Sequence, residues 1–553
     1  MPSSRPQPSP HRFAPPARRL CCALLAASLG LGVATPTRAQ GQAPTEVRLP
    51  ALGEAASDDF NLSQEKRIGE QIMREIRRDP DYLDDTLLLD YLQSIWQPLV
   101  QAARQRGDID ADTERLFPYE AFLVRDRSVN AFALPGGFIG VHLGLMAITA
   151  TPDELASVLA HELSHITRRH IARSVSANSR HSTLGLAAML LGLLVASRTS
   201  SPDAAQAAVV GGQAAMAQAQ LNFSRDMERE ADRSGLALMA LAGFAPVGMA
   251  TMFDKLDQSS RLNDSGGFPY LRSHPLTIDR IGEARQIVQA TGGAPSAPAA
   301  TLLHGLMQAR ARVLMDPSAQ AWRRLQDMDA RATMTGLALT DRVVGLYTSA
   351  LARARLRDFA RAERATTAAQ ALLADATGAA EPLAWRALAS QLAHLALARG
   401  DVASARRALA DGAGSGGPDP SRAGLLLRAD LALAEGSNAA LRPSGEALQT
   451  WLAEHRDDAS AWQLLAQTSH RQGLKLRALR AEAEAQAALG NLPGAIDRLR
   501  AGQQLARQGG VVTDFIESSV IDARLRDLLA QRRELLAEQR KQRGGVRDEP
   551  QEP

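Results

Sequence analysis

Cysteine is almost absent from this chain of 553 residues. Its only two cysteines, Cys21 and Cys22, are adjacent and lie near the N-terminus. If that segment is removed on export, the remaining chain can form neither a disulfide nor a thiolate metal site. A zinc site would then have to use histidine and carboxylate ligands.

Aromatic residues and strong net charge are also scarce. Aromatics make up 4% of the residues, while alanine and leucine dominate, which favours a mainly α fold. The formal net charge of +3 becomes −2 without the five arginines of residues 1–39. A chain so close to neutral gives no reason to expect a nucleic-acid partner.

The apolar run nearest the N-terminus is too short to span a membrane. Leu20–Val33 has 14 residues, and a spanning helix needs about 20. Basic residues precede the run, and Thr37-Arg38-Ala39 follows it with the small residues of a cleavage site. The pattern predicts a cleaved signal peptide over residues 1–39, and hence export to the periplasm. An uncleaved anchor is the alternative.

The composition changes again at Thr291–Ala300, a run of Pro, Gly and Ala typical of a linker. We therefore predict one domain over residues 40–295 and a helical domain over residues 301–535. The polar segment 536–553 is expected to be a disordered tail.

The second domain carries traces of a tetratricopeptide-like helical repeat. Matching residues are Trp462, Leu465, Ala466, Gly473 and Ala478, with Gly490 and Ala495 repeating the last two 17 residues on. The small residues stand where paired helices would cross. Because no unit is complete, a non-repetitive helical bundle stays the alternative.

The first domain begins with two helical patterns and three strand-like runs. The helices are predicted over Ser63–Arg77 and Thr86–Val100, and the runs are Tyr119–Val124, Val129–Leu134 and Phe138–His142. Pro135-Gly136-Gly137 reads as the turn between the last two runs.

A long helix starts after these strands and contains the motif LASVLAHELSH. Thr151 is expected to cap it, Pro152 suits its first turn, and Glu154 would close a capping box. A spacing of four residues places His161 and His165 on one helical face, where both can hold one metal ion.

Glu162 lies about 100° further round this helix, which suits a general base beside the metal. The alternative is a solvated polar face. We favour the metal site because the apolar residues make the helix mostly buried, and unpaired buried His and Glu would be costly. His170, beyond the pair, is expected on the surface near the helix end.

A catalytic zinc needs a third protein ligand, and the segment SRDMEREADRSG offers acids. Glu228 and Asp232 share a helical face with the small residues Ala231 and Gly235, which allow close packing on the histidine helix. Glu228 can reach the metal and Asp232 can accept a ring N–H from a ligand histidine, while Glu230 points elsewhere. An ordinary exposed charged helix is the alternative.

These residues carry a family resemblance over about residues 60–530. The motifs are His161-Glu162-x-x-His165, then Glu228-x-Glu230-Ala231-Asp232-x-x-Gly235, with VNAFALPGGFIGVHLGL before them and SHPLTIDRI after them. They resemble gluzincin metallopeptidases of the HtpX and CAAX-prenyl-protease type. The resemblance implies one Zn²⁺ bound by His161, His165 and Glu228, with Glu162 as general base. It also implies a small antiparallel sheet whose edge strand, Phe138–His142, pairs with extended substrate.

The order of signal peptide, peptidase and repeats resembles periplasmic members that serve outer-membrane protein assembly. It implies a zinc endopeptidase that degrades misfolded or stalled outer-membrane proteins and contacts the β-barrel assembly machinery through its repeats. The alternative is chiefly a scaffold or chaperone with a normally closed protease site.

Two further segments bear on regulation. Leu184–Ala196 and Ala204–Ala217 are apolar but too short to span, so we expect a buried or gating hairpin rather than one in contact with a membrane surface. His274 follows a loop rich in Asn, Asp, Ser, Gly and Pro. It is predicted to gate the zinc as a fourth, regulatory ligand. The alternative is that His274 has a catalytic role, as a donor to an oxyanion, or that it only orients the loop.

Overall fold

The computed structural model describes residues 61–177, 225–262, 268–290, 301–332, 336–374, 382–413, 417–508 and 514–545. They all belong to one compact unit, Glu54–Pro553. The predicted signal peptide, the apolar hairpin and the linker lie outside the described residues. Within those ranges, no helix combines the length and the apolar character needed to cross a membrane.

The described chain begins with three helices: α1 (Leu62–Ile76), α2 (Thr86–Arg106) and α3 (Ala111–Leu116). The first two confirm the predicted helical segments. Asn61 and Asp85 cap α1 and α2, because each side chain accepts a hydrogen bond from a free N–H of the first turn. Helix α2 runs one and a half turns past its predicted end, to Gly107 in the left-handed conformation.

The sheet contains β1 (Tyr82–Leu83), β2 (Glu120–Val124), β3 (Ala131–Leu134) and β4 (Phe138–His142). The three predicted strands are confirmed, but the predicted antiparallel sheet is wrong. The order is β1-β2-β4-β3, with β2 and β4 parallel and the other pairs antiparallel. Strand β4 is therefore central, and its neighbour β3 is an edge strand, as is β1 on the other side of the sheet.

The hairpin turn explains why β3 and β4 are neighbours. Gly136 and Gly137 have φ of 78° and 90°, which returns β4 directly alongside β3. The turn packs against α1, where a Cβ on Gly69 would lie 2.0 Å from the carbonyl oxygen of Pro135. Once β3 and β4 pair, each has one free side, and β2 joins that of β4. Local sequence patterns do not specify that choice.

Seven helices complete the described part of the first region. They are α4 (Leu143–Ile148), α5 (Pro152–Thr167), α6 (His170–Ala177), α7 (Arg225–Leu241), α8 (Val247–Leu262), α9 (Tyr270–Ser273) and α10 (Ile278–Ala290). Helix α5 is central: it packs against α2, α7, α8 and the edge strand β3. The candidate metal centre is built around this helix.

The remainder is helical, which confirms the mainly α fold with one small sheet. Its helices are α11 (Leu302–Leu314), α12 (Ala319–Leu325), α13 (Met328–Ala332), α14 (Leu339–Arg355), α15 (Phe359–Ala374), α16 (Pro382–Ala398), α17 (Val402–Ala413), α18 (Arg422–Glu435), α19 (Asn438–Glu454), α20 (Ala459–Arg471), α21 (Lys475–Ala488), α22 (Leu492–Arg507) and α23 (Phe515–Gly545). Consecutive helices pack in pairs, among them α16 with α17 and α20 with α21.

Glycines with positive φ separate several of these pairs. Gly473 and Gly490, noted for their 17-residue spacing, have φ of 76° and 74° and follow the ends of α20 and α21. This conformation suits glycine, which lacks the Cβ that would clash. The tetratricopeptide assignment itself stays a prediction. Helix α23 continues to Gly545, past residue 536 where the disordered tail was expected, since Glu, Gln, Lys and Arg are good helix formers.

The helical region packs directly on the first region. Helix α11 lies against α2 and α4, and its Leu306 and Met307 belong to the same buried core as Leu88 of α2. Arg310 binds Asp85 through two hydrogen bonds of 2.7 and 2.8 Å in this interface. The core thus continues across the predicted boundary, and the domain division stays a prediction.

Candidate metal centre

The start of α5 is fixed by Thr151, whose Oγ1 accepts a hydrogen bond from the N–H of Glu154 at 3.2 Å. The predicted capping box is wrong in its second half. The Glu154 carboxylate accepts instead from the N–H of Ala150, at 2.6 Å, and pairs with Lys255 of α8. The turn between α4 and α5 brings the N–H of Ala150 to this carboxylate. The helix still begins at Pro152, so His161 and His165 fall on its buried face as expected.

Helix α7 crosses α5 at very short range. A Cβ on Gly235 would lie 3.2 Å from the backbone nitrogen of His161 and 3.3 Å from the carbonyl carbon of Ala160. Ala231, one turn earlier, is fully buried. These small residues let the helix axes approach, as the sequence predicted, and so bring the acids of α7 beside the histidines of α5.

Four buried side chains converge where α5, α7 and the segment after α9 meet: His161, His165, Glu228 and His274, each with a ligand atom within 4.8 Å of the others. The two Nε2 atoms of His161 and His165 are 3.0 Å apart. Each of them lies 3.5 Å from an oxygen of the Glu228 carboxylate. All four residues are at most 2% exposed.

This arrangement fits a zinc ion. Two ligand atoms bound to zinc at about 2.1 Å in tetrahedral geometry would be roughly 3.4 Å apart. The three distances among His161, His165 and Glu228 scatter around that value. The donor set also has the chemistry zinc prefers in sites without cysteine, two imidazoles and one carboxylate.

The electrostatics of the pocket favour a bound cation. Burial alone would lower the pKa of His161, but hydrogen bonds to Asp232 and Glu228 raise it to about 9. Burial would raise the pKa of Glu228, but the His274 and His161 rings hold it far below its usual range. The carboxylates therefore create a negative potential that a metal ion would neutralise.

Asp232 lies behind His161, on the side away from the other donors. Its Oδ1 is 2.9 Å from His161 Nδ1. Arg280 of α10 holds the carboxylate with two hydrogen bonds of 2.6 and 2.8 Å and also pairs with Glu228 at 2.9 Å. A carboxylate in this position fixes the tautomer that leaves Nε2 of His161 free to bind metal.

Glu162 points toward the edge strand, not into the donor set. Its Oε2 accepts a hydrogen bond of 3.0 Å from the N–H of Ala133 in β3, and its Oε1 lies 3.5 Å from Nε2 of His274. Burial raises the pKa of the Glu162 carboxyl, an effect that the neighbouring imidazoles only partly offset. A buried carboxylate with a raised pKa is suited to accept a proton near neutral pH.

His274 is placed as a fourth donor. Its Nδ1 lies 3.0 Å from Glu228 Oε1 and 3.4 Å from His161 Nε2. The ring also packs against Tyr270, with centroids 4.8 Å apart. Of the loop that precedes α9, residues 263–267 lie outside the described residues.

The expectation for His170 is wrong. The residue is fully buried, and its Nδ1 lies 2.9 Å from Nδ1 of His165. Helix α5 ends at Thr167, Arg169 takes a φ of 52°, and the chain turns into α6 beneath the histidine pair. Glu230 does point away from the other acids, but it points to His170, with Oε2 3.2 Å from Nε2.

Sequence reasoning missed Arg280 as part of the site. It stands six residues after His274 within the quoted segment SHPLTIDRI. A buried arginine needs acidic partners, and Asp232, already assigned as an acceptor for a histidine N–H, was a candidate partner for Arg280. Tyr270, fully enclosed beside His161 and His274, gave no such signal.

Comparisons with known proteins agree with this geometry. Residues 90–288 match Peptidase family M48. The chain is 35% identical over 271 residues to a candidate β-barrel assembly-enhancing protease of Vibrio cholerae, covering 49% of this chain and 52% of that one. It is 31% identical over 299 residues to the β-barrel assembly-enhancing protease of Escherichia coli K12, covering 53% and 58%.

A more distant relative is the mitochondrial metalloendopeptidase OMA1 of Saccharomyces cerevisiae, 30% identical over 195 residues, 34% of this chain and 53% of that one. The chain thus matches about half the length of each of these relatives. The predicted resemblance is confirmed. Over residues 90–288 the chain is similar to the metallopeptidases of family M48, and over about half of its length it is similar to the β-barrel assembly-enhancing proteases.

Proposed function

We propose that this chain is a zinc endopeptidase of the periplasm that degrades misfolded or stalled outer-membrane proteins. The observation that carries the proposal is the convergence of three buried donors, His161, His165 and Glu228, beside a buried carboxylate with a raised pKa, Glu162. In the described ranges, no other group of three or more His, Cys, Asp or Glu side chains brings its ligand atoms close enough together to hold one metal ion.

The chemistry proposed is hydrolysis of a peptide bond. Zinc, when bound, would polarise the scissile carbonyl and acidify a water molecule. Glu162 would take a proton from the attacking water as its oxygen bonds to the carbonyl carbon, and would deliver that proton to the amine as the C–N bond breaks. Asp232 and Arg280 keep His161 in its metal-binding tautomer.

The substrate would bind along β3. This strand is at the edge of the sheet and packs on α5, whereas the central β4 has neighbours on both sides. An extended peptide added to β3 would pair main chain to main chain, largely regardless of its side chains. Such pairing selects unfolded segments, because a folded β-barrel already uses its backbone groups. This moves the proposed substrate strand from Phe138–His142 to Ala131–Leu134.

The proposed location and partners rest on the relatives and on the sequence. Two of the relatives are named for enhancing β-barrel assembly, and residues 1–39 predict export. The helices after Leu302 offer a large surface for partner proteins, and we propose that it contacts the β-barrel assembly machinery. The tetratricopeptide character of that region belongs to the same proposal.

A second function, as a scaffold or chaperone, is favoured by one observation. His274 stands where a fourth ligand would bind, and the whole donor set is at most 2% exposed. A site closed in this way cannot admit a peptide until the segment after α9 moves. In that state, the helical region would be the active part of the molecule.

Zinc-dependent proteolysis tests the proposal. We expect the mature chain to cleave an unfolded outer-membrane β-barrel protein but not the same protein folded in detergent micelles. Removing the metal with a chelator should abolish cleavage, and adding zinc should restore it. Gel electrophoresis with mass spectrometry of the fragments measures both effects. Cleavage that persists in the metal-free chain would contradict the proposal; binding without cleavage, even in the His274→Ala variant, would favour the scaffold.

A further inference from the structure

His170 is buried behind the proposed metal ligand His165. Its ring nitrogens make two contacts in opposite directions: Nδ1 is 2.9 Å from Nδ1 of His165, and Nε2 is 3.2 Å from Oε2 of Glu230. The guanidinium of Arg173 holds the same Glu230 oxygen at 2.9 Å. The contacts form a chain from an arginine through a carboxylate and one imidazole to another imidazole.

The protons in this chain can be assigned by elimination. His165 offers Nε2 to the metal, so its single proton must be on Nδ1. Nδ1 of His170 lies at hydrogen-bond distance from that N–H. This nitrogen must therefore be the unprotonated acceptor. The proton of His170 is consequently on Nε2, facing the carboxylate of Glu230. Both imidazole N–H groups therefore point the same way along the chain, from His165 toward Glu230.

His170 cannot be a further metal ligand in this arrangement. It contacts Nδ1 of His165, whereas the converging donors surround Nε2, on the other side of that ring. The two proposed histidine ligands are instead supported in parallel ways. His161 meets Asp232 directly, and Asp232 is held by Arg280. The carboxylate behind His165 is that of Glu230, two positions before Asp232 on α7. It reaches His165 through the imidazole of His170.

We propose that His170 is a positioning residue, which fixes the tautomer and ring orientation of His165 and connects it to the charge of Glu230. The inference rests on the proposed function, because it assumes that His165 binds metal. A partner that polarises the N–H of a ligand histidine raises the basicity of its other nitrogen, and loss of such partners typically weakens metal binding 10- to 100-fold.

Two substitutions separate positioning from packing. His170→Phe fills the same space but offers no acceptor, while His170→Asn is smaller but places an oxygen near the position of Nδ1. We expect the zinc dissociation constant, measured by competition with a chelator of known affinity, to rise about 10- to 100-fold in the Phe variant. The Asn variant keeps an acceptor for the His165 N–H but loses the contact with Glu230. Its dissociation constant should therefore rise about tenfold, as in Glu230→Ala, and less than in the Phe variant.

Glu230→Ala extends the test to a partly exposed residue, so that a folding defect at His170 would not decide the matter. It should weaken zinc binding by about tenfold. Asp226→Ala, an exposed acid on the same helix, is the matched control and should leave it unchanged.

The outcomes are distinguishable. A parent chain that binds no zinc would overturn the proposed function and this role with it. A parent that binds zinc, with Phe, Asn and Glu230→Ala variants all unchanged, would overturn the positioning role alone. Equal weakening in the Phe and Asn variants would also overturn it, since a packing role predicts no rescue by an acceptor.

Discussion

Replacing Glu162 by Gln is expected to lower the rate of peptide hydrolysis by about 10²- to 10⁴-fold, the usual contribution of a general base. The amide cannot take a proton from water, but its oxygen can still accept the N–H of Ala133. The edge strand and α5 should therefore keep their contact. Zinc content should also be unchanged, because Glu162 is not one of the converging donors.

The measurement is initial rates of casein cleavage together with zinc content by elemental analysis. Asp226→Asn is the control: it makes the same acid-to-amide change at an exposed position of α7 and should retain full activity. A Glu162→Gln variant that cleaves at more than about one tenth of the parent rate would contradict its assignment as the base. The same variant should retain bound substrates and allow their identification by mass spectrometry.

Replacing His274 by Ala is expected to increase cleavage of unfolded substrate. The ring occupies the fourth corner of the donor set and faces Glu162 from its other nitrogen. A ligand set without it keeps His161, His165 and Glu228, which are enough to hold catalytic zinc and leave a position open. If the closed state accounts for about 99% of the molecules, the increase can reach about 100-fold.

A decrease in cleavage in the His274→Ala variant would identify a different role for His274. A histidine that donates to the developing oxyanion should cost about 10²-fold or more in turnover when removed. Casein cleavage at saturating substrate, with zinc content measured in parallel, distinguishes the two roles. His470→Ala, at an exposed position of α20, controls for the loss of an imidazole. Reduced cleavage with zinc retained would overturn the gate.

The convergence of the proposed metal ligands could be predicted because it depends on helical geometry. A spacing of four places His161 and His165 on one face, whatever surrounds the helix. Gly235 predicted that its helix, α7, could cross α5 closely, and the two helices do cross closely at this residue. Such local rules also gave the strands, whose lengths agree with the predicted runs to within two residues.

The wrong predictions depend on how separate segments meet. No local pattern specifies that β4 lies between β2 and β3, because strand order is decided by which edges remain free. His170 is expected on the surface because it lies beyond the histidine pair, near the end of the helix. The positive φ of Arg169 turns the chain back instead. A left-handed arginine is uncommon, so nothing in the sequence marked this reversal.

Zinc content tests the central claim most directly. The account predicts about one zinc per mature chain, and a much lower value in Glu228→Gln after dialysis against a weak chelator, because the change removes the anionic ligand. The exposed Asp226→Asn should keep the parent value. A parent chain purified without zinc, or a Glu228→Gln variant that keeps as much as the parent, would contradict it.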